Sequence, residues 1–60
     1  MTNFMAKETL LDCGWCADFV NLISEWEATM LTNFKDPDEQ IIYADHLAMD
    51  YKYEGEYFDE

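Results

Sequence analysis

Apolar residues recur every three or four positions along the stretch from Thr9 to Phe34. This spacing matches the 3.6-residue period of an α-helix that packs one side against a core. The pattern therefore predicts one long helix over about residues 9–34, with Gly14 tolerated inside it at a cost of about 1 kcal/mol. The stripe consists of Leu11, Trp15, Phe19, Leu22, Ile23, Trp26 and Met30, and it is widened by Cys16, Val20, Leu31 and Phe34.

The pattern breaks at residues 35–39, which read Lys-Asp-Pro-Asp-Glu. Asp36 suits the N-cap of a helix, Pro37 suits the first helical position, and Glu39 completes a capping box. These signals predict a second helix over about residues 37–53. Because the connection is only a few residues long, the two helices are predicted to pack as an antiparallel hairpin.

The 60 residues are expected to form one small acidic helical domain, residues 1–60, closed by an acidic aromatic tail over residues 54–60. A chain of this size buries only about 60% of the surface that its unfolded form exposes, so it needs reinforcement. A second copy is the simplest reinforcement, and the predicted fold is all-α: a two-helix hairpin that forms a four-helix bundle as a homodimer. The self-association or apolar interface is assigned to Trp15, Phe19, Trp26, Tyr43, Leu47 and Tyr51.

Charge changes this picture, because 14 acids against 3 lysines give a formal net charge of −11. Nucleic acid and anionic membranes are excluded as direct partners, since both attract basic side chains. Carboxylates at helical spacing can instead imitate backbone phosphates and attract a basic protein, one that handles nucleic acid. The predicted contact residues are the nine acids of the second half: Asp36, Asp38, Glu39, Asp45, Asp50, Glu54, Glu56, Asp59 and Glu60.

Cys13-Gly14-Trp15-Cys16 is the one short motif with chemical meaning. A redox pair of this type is expected at the start of a helix after a strand, and no strand pattern precedes it. A metal site needs four ligands, for which Cys13, Cys16, His46 and a carboxylate are the candidates, but no second closely spaced ligand pair supports it. The favoured interpretation is two small, buried, reduced thiols packed beside the aromatic stripe, with metal or redox chemistry as an alternative.

No catalytic constellation and no cofactor site is recognisable, because His46 is the single histidine and no glycine-rich phosphate loop is present. The chain is therefore expected not to be an enzyme. No signal sequence or membrane-spanning pattern is found, so a cytoplasmic location is expected, in the host cytoplasm if the protein is phage-encoded.

The expected function is that of a non-enzymatic acidic inhibitor, a DNA-mimic decoy that binds a basic, nucleic-acid-binding surface of another protein. In composition alone, the chain resembles small acidic proteins of phages and mobile elements that block restriction, CRISPR or host DNA-binding proteins. The first alternative is a small helical adaptor that binds its partner through the apolar aromatic face. The second is the cysteine-based metal or redox protein.

Overall fold

The computed structural model describes residues 5–59 and contains four α-helices within them. The helices are α1 (Ala6–Asp12), α2 (Ala17–Leu22), α3 (Glu25–Asn33) and α4 (Pro37–Tyr51). The predicted all-α class is confirmed. Four helices, rather than two, build it. None of the helices in the described range is long and apolar enough to cross a membrane.

The predicted single helix over residues 9–34 is wrong, and its first break lies at Gly14. This glycine has a φ of 97°, in the left-handed region that favours glycine. Its N–H donates to the carbonyl of Leu11 at 3.1 Å, and the N–H of Trp15 donates to the carbonyl of Leu10 at 3.0 Å. These two bonds form a Schellman motif, which ends α1 and turns the chain.

The second break lies at Ile23 and Ser24, whose ψ angles of 162° and 165° are extended. The Ser24 hydroxyl accepts from the N–H of Glu27 at 3.1 Å, and the Glu27 carboxylate accepts from the N–H of Ser24 at 2.9 Å. This reciprocal pair is a capping box, which satisfies two N–H groups at a helix start. It begins α3 as a helix separate from α2.

Glu25, the first residue of α3, ties that helix to the start of α1. Its carboxylate accepts from the backbone N–H groups of Ala6 at 3.0 Å and Lys7 at 3.4 Å. The first N–H groups of a helix have no partner inside the helix, and a negative charge there also suits the helix dipole. A side chain 19 positions away in sequence therefore caps α1.

Apolar side chains from all four helices form one core cluster. Its largest fully enclosed members are Phe19, Leu10, Ile23, Leu31, Leu47 and Val20. Burial of a side chain of this kind contributes about 1.5–3 kcal/mol. That contribution explains how α2, with only 6 residues, stays helical, since an isolated helix of this length would not form.

The segment after α4 folds back along the turn between α1 and α2. The N–H of Cys16 donates to the carbonyl of Tyr57 at 2.7 Å, and the N–H of Asp59 donates to the carbonyl of Gly14 at 2.8 Å. These bonds make an isolated antiparallel bridge between Trp15 and Phe58. The predicted tail is therefore a folded part of the domain up to residue 59.

The aromatic rings of this segment cover the core. Tyr53 and Tyr57 lie 5.5 and 5.3 Å from the ring of Phe19, and Phe58 lies 4.5 Å from Trp15. Tilted aromatic pairs at these centroid distances are stabilising beyond the area that they bury. The segment after α4 therefore buries part of the apolar stripe that the sequence places on residues 9–34.

The contacts between α3 and α4 join opposite ends of the two helices. The Tyr51 hydroxyl donates to the Glu27 carboxylate at 2.6 Å, near the start of α3 and the end of α4. At the other end, the Gln40 amide donates to the carbonyl of Leu31 at 2.9 Å. These two hydrogen bonds therefore join the start of each helix to the end of the other.

Candidate protein-binding surface

The acidic side chains that the sequence predicts as contacts are exposed throughout the described residues. Glu60 lies outside those residues. Of the eight predicted contact acids within the described residues, four lie on α4 and four lie in the segments before and after it. The members on α4 are Asp38, Glu39, Asp45 and Asp50.

The acids of α4 flank an apolar residue on the outward side of the helix. Ile42 is 69% exposed. With a rotation of about 100° per residue, Asp38 and Asp45 lie on one side of Ile42, while Glu39 and Asp50 lie on the other. The outward face of α4 is therefore apolar along its middle and negative along both edges.

Two of the predicted contact residues also stabilise the fold. Asp36 is the N-cap of α4, since its carboxylate accepts from the N–H of Asp38 at 3.0 Å. Asp45 accepts from the Tyr57 hydroxyl at 2.8 Å, which joins α4 to the segment after it. Replacing either acid would lower the stability of the fold as well as remove a charge.

The predicted apolar interface is wrong for three of its residues. Trp15, Phe19 and Leu47 are 4%, 0% and 2% exposed, so the single chain already buries them. The reason for Phe19 is the cover provided by Tyr53 and Tyr57, which the sequence pattern places at the end of the second helix and in the tail. A partner therefore cannot reach these three side chains in the folded chain.

The remaining members of that predicted interface stay accessible. Trp26 is 70% exposed, Tyr51 is 39% exposed, and Tyr43 is half-buried. Sequence reasoning missed Ile42 and Met49, which are 69% and 72% exposed. The helical period could have identified them, because Ile42 and Met49 lie on the same side of α4 and the buried Leu47 lies on another side.

An open groove of about 390 Å³ lies where the end of α3 meets the first half of α4. It is lined mainly by apolar atoms, and its residues are Phe34, Glu39, Ile42, Tyr43 and His46. The rings of Phe34 and Tyr43 pack at 5.5 Å and form one wall. The groove thus combines an aromatic wall, an exposed aliphatic side chain and one carboxylate.

The field around this groove is negative. Partial burial raises the pKa of Tyr43, and the charges of Glu27 and Asp50 raise it further. The Asp50 carboxylate also lies 3.5 Å from Nε2 of His46. His46 precedes Asp50 by one helical turn on α4. A cationic group placed beside Tyr43 would therefore be attracted by carboxylates on both α3 and α4.

The two cysteines lie on the other part of the molecule, in and next to the turn held by residues 57–59. Both are free thiols; Cys13 is exposed and Cys16 is half-buried. The Tyr53 hydroxyl lies 3.9 Å from Sγ of Cys16, and desolvation together with this contact raises the pKa of Tyr53 to about 12. The thiol of Cys16 thus packs beside the aromatic cluster, as the favoured interpretation expects. The predicted burial is wrong for Cys13, which lies at the exposed turn that ends α1.

The candidate metal ligands are not assembled. Across residues 5–59, no group of three or more histidine, cysteine, aspartate or glutamate side chains is placed to hold a metal ion. His46 lines the groove instead, on α4, where Asp50 is its carboxylate neighbour.

Comparison with protein-family models, with curated proteins and with solved structures gives no match for this chain.

Proposed function

We propose that this protein is a non-enzymatic acidic inhibitor that binds the basic, nucleic-acid-binding surface of another protein and keeps nucleic acid away from it. The observation that supports this proposal is the row of exposed carboxylates on both edges of α4. A helix fixes these charges in place before binding. The cost of ordering them on association is therefore small.

The spacing of the carboxylates suits a site built for phosphates. Asp38 and Asp45 are separated by two helical turns, about 10 Å along the axis. That distance equals about three steps of 3.4 Å along one strand of DNA. Negative charge of this density also steers the protein toward a basic cleft at long range.

Binding to the target is expected to collapse when salt is raised. At about 0.5 M salt the screening length falls to about 4 Å, which removes most of the attraction between exposed charges. The measurement is affinity capture of nucleic-acid-binding proteins from a lysate at low and at high salt, with added duplex DNA or RNA as competitor. Capture that persists in high salt, or that ignores the competitor, contradicts the proposal.

A matched pair of variants separates the position of the charge from its amount. The test variant neutralises Asp38, Glu39 and Asp50 on α4, and the control neutralises the same number of exposed acids elsewhere. That control carries Glu8→Gln, Asp12→Asn and Asp18→Asn on α1 and α2. We expect capture to fall at least tenfold in the first variant and by much less in the second, if each charge contributes about 0.5–1 kcal/mol.

The adaptor function is the second candidate, and the exposure of Trp26, Ile42 and Met49 favours it. Exposed apolar side chains that form a continuous patch often mark a site where a protein binds a partner. Binding through these residues would survive high salt, and replacing Trp26 with serine would weaken it. The same experiment therefore distinguishes the adaptor from the inhibitor.

Self-association into a homodimer is part of the same proposal, with Trp26, Tyr43 and Tyr51 as the interface residues that remain accessible. Two copies at −11 repel each other, so added salt is expected to strengthen a dimer while it weakens target binding. Sedimentation equilibrium at low and high salt measures this. A monomer at all salt concentrations would remove the dimer from the proposal and leave the inhibitor in place.

A further inference from the structure

We propose that the groove between α3 and α4 receives one apolar side chain of the partner protein, carried on a segment that is basic on both sides of that anchor. This inference rests on the proposed function, since it takes the partner to be a basic protein. It goes beyond that function by giving the acidic protein a specific contact, where charge alone would bind many basic surfaces.

The shape and lining of the groove argue for an apolar anchor. Phe34 and Tyr43 form an aromatic wall, and Ile42, which is 69% exposed, also lines the opening. Clefts of about 300 Å³ and above, lined mainly by apolar atoms, are typical ligand sites in proteins. The volume of about 390 Å³ is large enough to admit one apolar side chain of a partner.

The charges around the groove argue for a basic neighbour on each side of the anchor. Glu39 lines the opening itself, and Asp50 lies one turn beyond His46. Asp38 and Asp45 follow the far edge of the same helix. None of the three lysines lines the groove, so a segment with lysine or arginine around one apolar residue would meet opposite charge on both edges.

Geometry of this kind corresponds to a known mode of recognition, in which an amphipathic segment places its apolar side in a groove while its charged residues meet the rim. The rim supplies attraction and the groove supplies selectivity. Truncation of a buried anchor is costly at interfaces, whereas rim charges mainly change the rate of association. The two contributions can therefore be separated by experiment.

The test uses a lysine-rich peptide with one central phenylalanine and the same peptide with alanine in its place. Binding to the whole protein is followed by backbone NMR and by titration calorimetry. We expect the phenylalanine peptide to bind about tenfold more tightly, because burial of its ring adds about 1.4 kcal/mol. The largest chemical-shift changes are expected at the five residues that line the groove.

Two pairs of variants control for general effects. Ile42→Ser is expected to remove most of the tenfold preference, while Met49→Ser, at an equally exposed position of α4 outside the groove, is expected to preserve it. Glu39→Gln is expected to weaken both peptides alike, by about threefold, while Glu54→Gln has a smaller effect. Equal binding of the two peptides, or shifts centred away from the groove, would overturn the inference.

The outcome is distinguishable from that of the proposed function. If nucleic-acid-binding proteins are captured and displaced by DNA while both peptides bind equally, the groove inference fails and the acidic inhibitor stands. If the phenylalanine peptide binds in the groove but nucleic acid does not reduce the capture of any protein, the proposed inhibitor function is rejected. The groove then remains a site for basic segments with an apolar anchor.

Discussion

Replacing Phe19 with alanine is expected to remove much or all of the free energy of unfolding of the domain. The side chain is 0% exposed and contacts the rings of Trp15, Tyr53 and Tyr57. Removing a buried phenylalanine ring costs about 3–5 kcal/mol. A domain of this length has a total stability of about 3–9 kcal/mol, so this single change removes much or all of it.

Urea denaturation followed by circular dichroism measures the loss. The matched control is Trp26→Ala, which removes an aromatic ring of the same chain at a position that is 70% exposed. That control is expected to change the free energy of unfolding by less than about 0.5 kcal/mol. A cooperative transition for the Phe19 variant at a stability equal to that of the control would contradict the assignment of Phe19 to the centre of the core.

Deleting residues 57–60 is expected to destabilise the domain by about 2–4 kcal/mol. The deletion removes the rings of Tyr57 and Phe58 and two backbone hydrogen bonds, those to Cys16 and Gly14. It also uncovers part of Trp15 and Phe19. Thermal unfolding and the near-ultraviolet signal of the tryptophans report the change.

The deletion also removes two negative charges, which by itself would relieve repulsion in so acidic a chain. A full-length variant with Asp59→Asn and Glu60→Gln isolates that effect, and its stability is expected to stay equal or rise. Tyr57→Phe, which keeps the ring but loses the hydrogen bond to Asp45, is expected to lose only about 1 kcal/mol. A deletion as stable as the full chain would mean that the rings of this segment do not cover the core.

The helical class and α4 could be predicted from the sequence because their signals are local. Asp36, Pro37 and the acids after them specify a helix start without any tertiary contact, and the structure begins α4 at Pro37. The end of α4 at Tyr51 is also near the predicted position. There, Lys52 adopts a left-handed conformation with a φ of 57°, which no simple rule assigns to lysine.

The breaks inside residues 9–34 were missed for two different reasons. The Ser24 and Glu27 pair was readable as a capping box, but the strong apolar period through it favoured a continuous helix. The turn at Gly14 depends partly on tertiary contact, since residues 57–59 hold it in place through Cys16 and Gly14. The spacing of apolar residues within one segment cannot show that another segment, about 40 residues later in the sequence, packs against it.

The candidate surface was predicted in part. The exposure of the acids followed from their chemistry, whereas the burial of Phe19 and Trp15 required knowledge of where the segment after α4 packs. The groove could not be derived from either helix alone. It depends on how Phe34, at the end of α3, meets Tyr43 on α4.

The contact between Tyr53 and Cys16 spans 37 positions, so completing the core closes most of the chain into a loop. Loop closure of this kind is slow relative to helix formation, and the short helices have little stability before it occurs. Folding of the full chain is therefore expected to be all-or-none, without a stable intermediate formed by the first helices alone. A protease cut inside this loop is therefore expected to lower the stability of the whole domain, including the surface proposed for binding.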